Sequence, residues 1–335
     1  MQSSTPQSTG CSYIAGTGMN VPEKIIDNDF FATYLDTSDE WITSRTGIKQ
    51  RRWADDDVSA SSLAFPAAKR AIAAAGLLNS DIDGVIVATV TPDYIFPSTA
   101  CRLQNLLGIH KGFAFDMNAV CSGFIYALVT ADAMIKAGHA SNILVVGTEI
   151  YSSIIDKSDR STCVLFGDGA GAVVLSRANE DNPSRFLGGR LYADGQNEDI
   201  LTVPQGTANR ITSEKLQNSS TKLRMEGREV FKLAVRSISE SCSSILQEMG
   251  VSTEEVDYLA CHQANFRILQ SVGKQLNIPA EKVLINLEKY GNTSAASVPI
   301  LLDEFSRNGT IKKGDLVLLT AFGGGTTWGA CLIRW

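Results

Sequence analysis

The chain has 335 residues, 44% of them apolar and 20% charged, with 28 glycines and 9 prolines; this suits a folded globular protein and excludes a fibrous or disordered one. Its length fits about two domains or one large α/β unit. With 30 basic and 36 acidic side chains the net charge is −6, which argues against nucleic acid as a partner. The densest basic run, Lys49-Gln50-Arg51-Arg52, is too short to track a phosphate backbone. No apolar run approaches the roughly 18 residues of a membrane span. The N-terminal MQSSTPQSTG has neither the basic nor the apolar region of a secretory signal. Seven scattered cysteines without a CxxC pair predict free thiols in a reducing, cytoplasmic setting. Only three histidines occur, His110, His139 and His262, with no HExxH, so no metal site is expected.

Helical and strand patterns alternate along the chain, which predicts an α/β fold. A helix over Leu63 to Ala75 stops at Gly76, where a C-cap glycine belongs, and the apolar run Val85 to Val90 reads as a buried strand. The segment opened by Cys121 is apolar nearly all round and reads as a buried helix ending near Gly138, before the strand Ile143 to Val146. Gly167-Asp168-Gly169-Ala170-Gly171-Ala172 fits the spacing of a dinucleotide fingerprint, but a strand follows where the phosphate site needs a helix, so that reading is rejected. Residues 194–222 are polar and without period, and read as a long loop. Phe322-Gly323-Gly324-Gly325 lies between the strands Leu316–Thr320 and Ala330–Ile333 and reads as a turn.

An internal repeat orders these elements. Aligning Gly76 with Gly250 sets Asp83 on Asp257 and strand Val85-Ile86-Val87 on Leu259-Ala260-Cys261, an offset close to half the chain. Ile143-Leu144-Val145 matches Val317-Leu318-Leu319 at the same offset, and Leu107-Gly108-Ile109 resembles Leu276-Asn277-Ile278 at a slightly shorter one. Two similar halves, 1–185 and 186–335, are expected, with a cleft between them suited to a ligand.

Three residues stand out for chemistry. Cys121 at a helix start faces free N–H groups and the positive end of the helix dipole, which favour thiolate. Most buried cysteines are small hydrophobes, and Cys101, Cys163 and Cys331 are read that way. His262 ends a strand facing the expected cleft, where catalytic groups of α/β proteins collect, although a structural histidine is the commoner case. Asn292, at nearly the repeat offset from Cys121, falls near the matching helix start, a place that N-caps usually take.

The segments DMNAVCSGFIYAL, ACHQANFRI, KYGNTSAASVPILLDEF and LLTAFGGGTTWGACL closely resemble the β-ketoacyl-[acyl-carrier-protein] synthase III family of condensing enzymes, and TSDEWITSRTGI and VLFGDGAGAVVLS fit the same pattern. The Cys–His–Asn set separates this family from the elongating synthases, which use Cys–His–His. The resemblance implies a thiolase-like duplicated αβαβα five-layered fold and an acyltransferase acting in the cytoplasm as a homodimer, with no metal and no cofactor beyond its acyl-CoA substrate. Cys121 would attack the acyl-CoA and carry the acyl group. Malonyl-acyl carrier protein would then lose carbon dioxide while His262 and Asn292 donate to its thioester oxygen. The oxyanion of the acyl transfer would sit between the N–H groups of Cys121 and Gly324, with Phe322 as an apolar wall for the malonyl carboxylate.

The same resemblance assigns Trp41 and Arg160, with Thr37 nearby, to the coenzyme A adenine, Arg45 and Arg267 to its phosphates, and Asn265 to the pantetheine arm. Lys232, Arg267 and Lys274 would dock the carrier protein, and Phe96 would reach across a dimer interface into the partner's acyl pocket. Ser161 and Thr326 depart from residues common in the family, and the N-terminal tail is longer; these leave the identity of the primer open. A relative using the same triad in secondary metabolism, of polyketide or quinolone type, is the alternative. An inactive subunit is disfavoured because Cys121 is intact.

Overall fold

A computed structural model describes residues 11–179, 181–209, 212–217 and 221–335; the N-terminal tail 1–10 lies outside the described residues. Two sheets form the frame. In the first the strand order is Cys11–Asn20, Gly169–Ala178, Asn142–Glu149, Gly84–Ala88 and Phe113–Met117. In the second it is Tyr258–Cys261, Leu316–Gly323, Thr327–Arg334 and Arg185–Ala193.

Alternation along the strands divides the side chains between layers. Ile86 and Ala88 point to a central layer, whereas Val85 and Val87 pack outward against Leu63, Ala67 and Ile72 of the helix Ala60–Ala74. The central layer consists of the helices Gly123–Lys136 and Ser297–Arg307, whose Phe124, Leu128, Val298 and Leu301 contact strands of both sheets. On the far side, Ile238, Cys242 and Ile245 of the helix Gly227–Met249 and Leu269 and Val272 of the helix Phe266–Gln275 cover the second sheet. The result is five layers, helix–sheet–helix–sheet–helix, as the resemblance implies.

The sequence repeat reappears as repeated bonding. Gly84 sits opposite Ile143 in one parallel pair and Tyr258 opposite Val317 in the other, and both members of the second pair stand at the repeat offset from those of the first. The Asp83 carboxylate accepts from the backbone N–H of Asn142 at 3.0 Å, and the Asp257 carboxylate from that of Leu316 at 2.8 Å, the same join in both halves. Val85 pairs with Ala114, and Leu259 bridges to Val283, which reproduces the shorter offset.

Several details differ from the sequence reading. The α-helix after Cys121 starts at Gly123, because Val120–Ser122 form a tighter 3₁₀ turn. The stretch 194–222 is not all loop: a 3₁₀ turn at Gly195–Ile200, a strand at Leu201–Thr202 and a helix at Ser213–Gln217 lie within it, while 210, 211 and 218–220 fall outside the described residues. Cys101 is exposed rather than a core hydrophobe, whereas Cys163 and Cys331 are buried, and all seven cysteines are free. The glycines of 167–171 serve close packing: a Cβ on Gly171 would meet the Ile300 nitrogen at 2.6 Å, so this strand lets the central helix come near.

Candidate active site

A cavity of about 620 Å³ runs inward from the surface between the two halves. Cys121, His262, Asn292 and Phe322, all buried, form its inner end; Trp41, Arg45, Arg160 and Arg267, more exposed, form its mouth. Cys121 lies in the 3₁₀ turn before the central helix, and the preceding Val120 adopts the left-handed φ of 49°. Ser294, its counterpart at the repeat offset, adopts the matching φ of 50° in the turn that starts the other central helix. The residue aligned with Cys121 is therefore Ala295, and Asn292 sits just ahead of it, before the turn begins.

Each polar group at the inner end is held by a serine. His262 Nδ1 lies 2.6 Å from Ser297 Oγ, which also accepts from the Gln263 N–H at 3.4 Å. With the Ser297 hydroxyl accepting from the Gln263 N–H and donating to Nδ1, the imidazole proton sits on Nε2, as a donor for the cavity. Burial pushes His262 down to about 3, so the ring is neutral at any working pH. Asn292 Oδ1 accepts from the Ser294 N–H at 2.9 Å, which leaves its Nδ2 as the second donor.

The thiol departs from expectation. Burial pushes Cys121 up to about 12; hydrogen bonding with Ser294 opposes the rise and the nearby Glu149 reinforces it. Such a shift corresponds to about 4 kcal/mol, whereas a helix dipole contributes at most about 2 kcal/mol. Desolvation wins, and the resting cysteine is a thiol. Tyr151, buried and stacked on Phe166 at 4.7 Å, borders the same thiol. Glu149, wholly buried, is pushed up to about 8 by desolvation against hydrogen bonds from Val90, Thr91, Ser294 and Thr89.

The glycine turn presses on this site. A Cβ on Gly323 would meet the Cys121 nitrogen at 2.7 Å, so only a glycine lets the two backbones approach. Gly324 faces a neighbouring chamber of about 350 Å³, bordered also by Tyr151, Val120 and Leu201. Phe322 lines the main cavity and stacks on Trp328 at 6.4 Å.

At the mouth, the guanidinium groups of Arg45 and Arg160 lie over the Trp41 ring at 4.5 and 4.7 Å. Arg160 is anchored by the Asp36 carbonyl oxygen and, at 3.5 Å, its carboxylate. At 4.7 Å the Arg160 guanidinium and the Trp41 ring are in direct contact, with no space for a third ring between them. Asn265 caps the helix Phe266–Gln275 and donates to the Arg45 carbonyl at 3.2 Å, while Arg267 donates to that of Ser44 at 3.0 Å. Thr37 does not line the cavity, and its buried hydroxyl has no partner among the described residues. Lys232 and Lys274 are exposed and outside the cavity, Lys232 pairing with Glu229 at 2.8 Å. Phe96 is 83% exposed and does not line the cavity either. Ser161 is exposed, and Thr326 is buried with its hydroxyl on the Asp194 carbonyl. Among the described residues, no group of three His, Cys, Asp or Glu is placed to hold a metal, and no helix is long and apolar enough to cross a membrane.

Sequence reasoning missed Glu149, Tyr151, Ser294 and Ser297. Only Ser294 left a signal there, as the partner of Val120 at the repeat offset.

Comparison with known proteins identifies this geometry. The structure of 3-oxoacyl-[acyl-carrier-protein] synthase III from Aquifex aeolicus VF5 superposes with a TM-score of 0.90 over 97% of this chain and 100% of that one. The priming β-ketosynthase of the R1128 polyketide pathway superposes at 0.91 with 29% identity, over 99% of this chain and 98% of that one. The architecture is thus the thiolase-like fold of condensing enzymes. Residues 115–195 match the family described as 3-oxoacyl-[acyl-carrier-protein] synthase III, and residues 246–335 match its C-terminal domain. The β-ketoacyl-[acyl-carrier-protein] synthase III of Aquifex aeolicus is 48% identical over 322 residues, 96% of this chain and 99% of that protein. That of Xanthomonas campestris pv. campestris is also 48% identical, over 97% and 98%. This chain belongs to the 3-oxoacyl-[acyl-carrier-protein] synthase III family.

A resting thiol near 12 makes a clear prediction. Below its pKa the thiolate fraction grows tenfold per pH unit, so alkylation of Cys121 by iodoacetamide should accelerate steadily between about pH 6.5 and 9. A plateau in the alkylation rate below about pH 8 would mean that the dipole prevails and the resting residue is a thiolate.

Proposed function

We propose that the chain condenses an acyl-CoA primer with malonyl-[acyl-carrier protein] through an acyl group on Cys121, giving a 3-oxoacyl-[acyl-carrier protein] and initiating fatty acid synthesis. The observation that carries this reading is the convergence of one buried thiol and two neutral, oriented donors on the closed end of a single cavity.

The chemistry follows from the neutrality of that end. Cys121 sulfur attacks the thioester carbon of the acyl-CoA, and coenzyme A leaves as its thiol with the cysteine proton. The Cys121 and Gly324 N–H groups stabilise the oxyanion formed on the way. Malonyl-carrier protein then enters and its carboxylate leaves as carbon dioxide beside Phe322, whose apolar face favours the uncharged product over the anion. The electron pair moves onto the thioester oxygen, where His262 Nε2 and Asn292 Nδ2 donate to the enolate. The enolate carbon attacks the acyl-cysteine, the carbon–sulfur bond breaks, and the released thiolate takes a proton from solvent. Neutral donors suit this step because the charge they meet appears only as the reaction proceeds.

Trp41, Arg160 and Thr37 are assigned to the adenine end of coenzyme A, Arg45 and Arg267 to its phosphates, and Asn265 to the pantetheine arm. The division of the chain at 185/186 separates a half carrying the nucleophile from a half carrying the donors. Identity of 48% to β-ketoacyl-[acyl-carrier-protein] synthases III, against 29% to the polyketide priming synthase, favours fatty acid synthesis over the polyketide alternative.

Cys121→Ala should abolish the acyl adduct seen by intact-protein mass spectrometry after exposure to acyl-CoA. His262→Ala and Asn292→Ala should still acylate but lose condensation by about 100- to 1,000-fold each. An adduct surviving in Cys121→Ala would sink the nucleophile assignment, and lost acylation in both donor variants would make them activators of the thiol.

The protein is assigned a homodimer, since Ile95 and Phe96 are 78% and 83% exposed beside Tyr94 and form an apolar patch that a second copy would cover. Sedimentation should give twice 36.0 kDa; a fully active monomer at micromolar concentration would contradict it.

Carrier-protein docking falls to Lys232, Arg267 and Lys274. An acidic partner is not drawn to a molecule of net charge −6 as a whole, so a local basic patch is required. Arg267 and Lys274 lie about two helical turns apart on one exposed helical face beside the cavity mouth. Lys274→Glu should raise the Michaelis constant for malonyl-carrier protein at low salt and leave acylation from acyl-CoA unchanged. An unaltered constant would move the docking patch elsewhere.

A further inference from the structure

Glu149 is a carboxylic acid with no exposure to solvent, at the end of the strand Asn142–Glu149, and the steps above make no use of it. No ion pair among the described residues includes it. Instead it is ringed by donors. Val90 N–H reaches its two oxygens at 3.1 and 3.3 Å, Thr91 Oγ1 donates at 2.9 Å, Thr89 Oγ1 lies at 3.4 Å, and Ser294 Oγ donates at 3.2 Å. Thr91 Oγ1 in turn accepts from the Ile150 N–H at 2.8 Å, which ties the ends of two strands of the first sheet to the same carboxyl. A buried acid without a cation is costly to keep, and such groups concentrate where a site needs them.

The one contact that leaves the first half is that to Ser294. This residue holds the left-handed φ of 50°, a strained region for a side chain larger than hydrogen, and its N–H is aimed at Asn292 Oδ1. Its hydroxyl is secured by Glu149 and its N–H by Asn292, so the two bonds fix one turn from both sides.

We propose that Glu149 is a positioning residue for the condensation step: by holding the Ser294 hydroxyl it fixes the turn whose N–H orients the Asn292 carboxamide, so that Nδ2 faces the malonyl thioester oxygen. The inference rests on the reading of Asn292 as an enolate donor. Glutamine is nearly isosteric with glutamate but fixes two N–H donors on one terminal atom among Val90, Thr91 and Ser294, where a carboxyl group carries at most one proton and can place it on either oxygen.

The test separates the two half-reactions. Glu149→Gln should lower the condensation kcat by about tenfold or more while the Michaelis constant for malonyl-carrier protein stays within about twofold. Its acylation by acyl-CoA should stay within about twofold of the parent, because Glu149 is mostly uncharged near pH 7 and the substitution leaves the thiol and the Asn292 carboxamide in place; a merely structural defect would slow both steps. Ser294→Ala removes the hydroxyl but keeps the N–H, and should lose condensation by a smaller factor than Glu149→Gln. In the Asn292→Ala background, Glu149→Gln should change condensation by less than about twofold, because both act through one carboxamide. Losses that multiply in the double variant, or a Glu149→Gln enzyme that condenses at the parental rate, would overturn the proposal. If instead Asn292→Ala itself condenses normally, the donor reading fails first, and the two failures are told apart by that single variant.

Discussion

Everything at the centre of this molecule depends on how closely two helix-starting turns can approach. The turns Val120–Ser122 and Ser294–Ala296 meet where the halves join, and the residues around them are small because nothing larger fits. A Cβ on Gly147 would meet the Ala295 carbonyl oxygen at 2.3 Å, and one on Gly123 would meet Ala88 Cβ at 3.1 Å. Gly323 presses on the same point from the second sheet. Close packing of backbone against backbone brings a thiol from one half to the same cavity end as an imidazole and a carboxamide from the other, and buries all three.

The electrostatic character of the site follows from that burial. It raises Cys121 to about 12 and Glu149 to about 8, and lowers His262 to about 3. Each shift favours the uncharged form, so the resting site is neutral near pH 7. On the proposed mechanism the protein's own inner groups stay uncharged until oxyanion, enolate or leaving thiolate forms, and that charge would meet donors already held by Ser294 and Ser297. Fixed dipoles in a buried site act on such charges far more strongly than exposed ones.

Toward the mouth the physics changes. Trp41 lies against two guanidinium groups, Arg267 and Lys274 extend into solvent, and the apolar Ile95–Phe96 patch stands apart. Long cationic side chains on a net-negative protein give a local field that salt can screen, which suits recognition of anionic ligands and leaves the chemistry at the inner end untouched.

Much of this is legible in the residues. Hydrophobic periodicity and the internal repeat determine the α/β halves, since both express local rules of burial that each half obeys separately. Cys121, His262 and Asn292 stand out by their places at element ends, and the strand after Gly167–Ala172 excludes a dinucleotide site. Burial works against the thiolate expected at Cys121, because the helix dipole is a property of the local chain whereas desolvation depends on what packs above it. Cys101 as a core residue fails for a similar reason: residue type does not reveal which face of a helix is covered. The serines that orient the donors, the Arg160 contact on Trp41 and the Glu149–Ser294 bond are decided only by the tertiary structure. Glu149 and Ser294 are 145 residues apart, and no pattern within either segment could announce a hydrogen bond that exists only once the two halves are packed together.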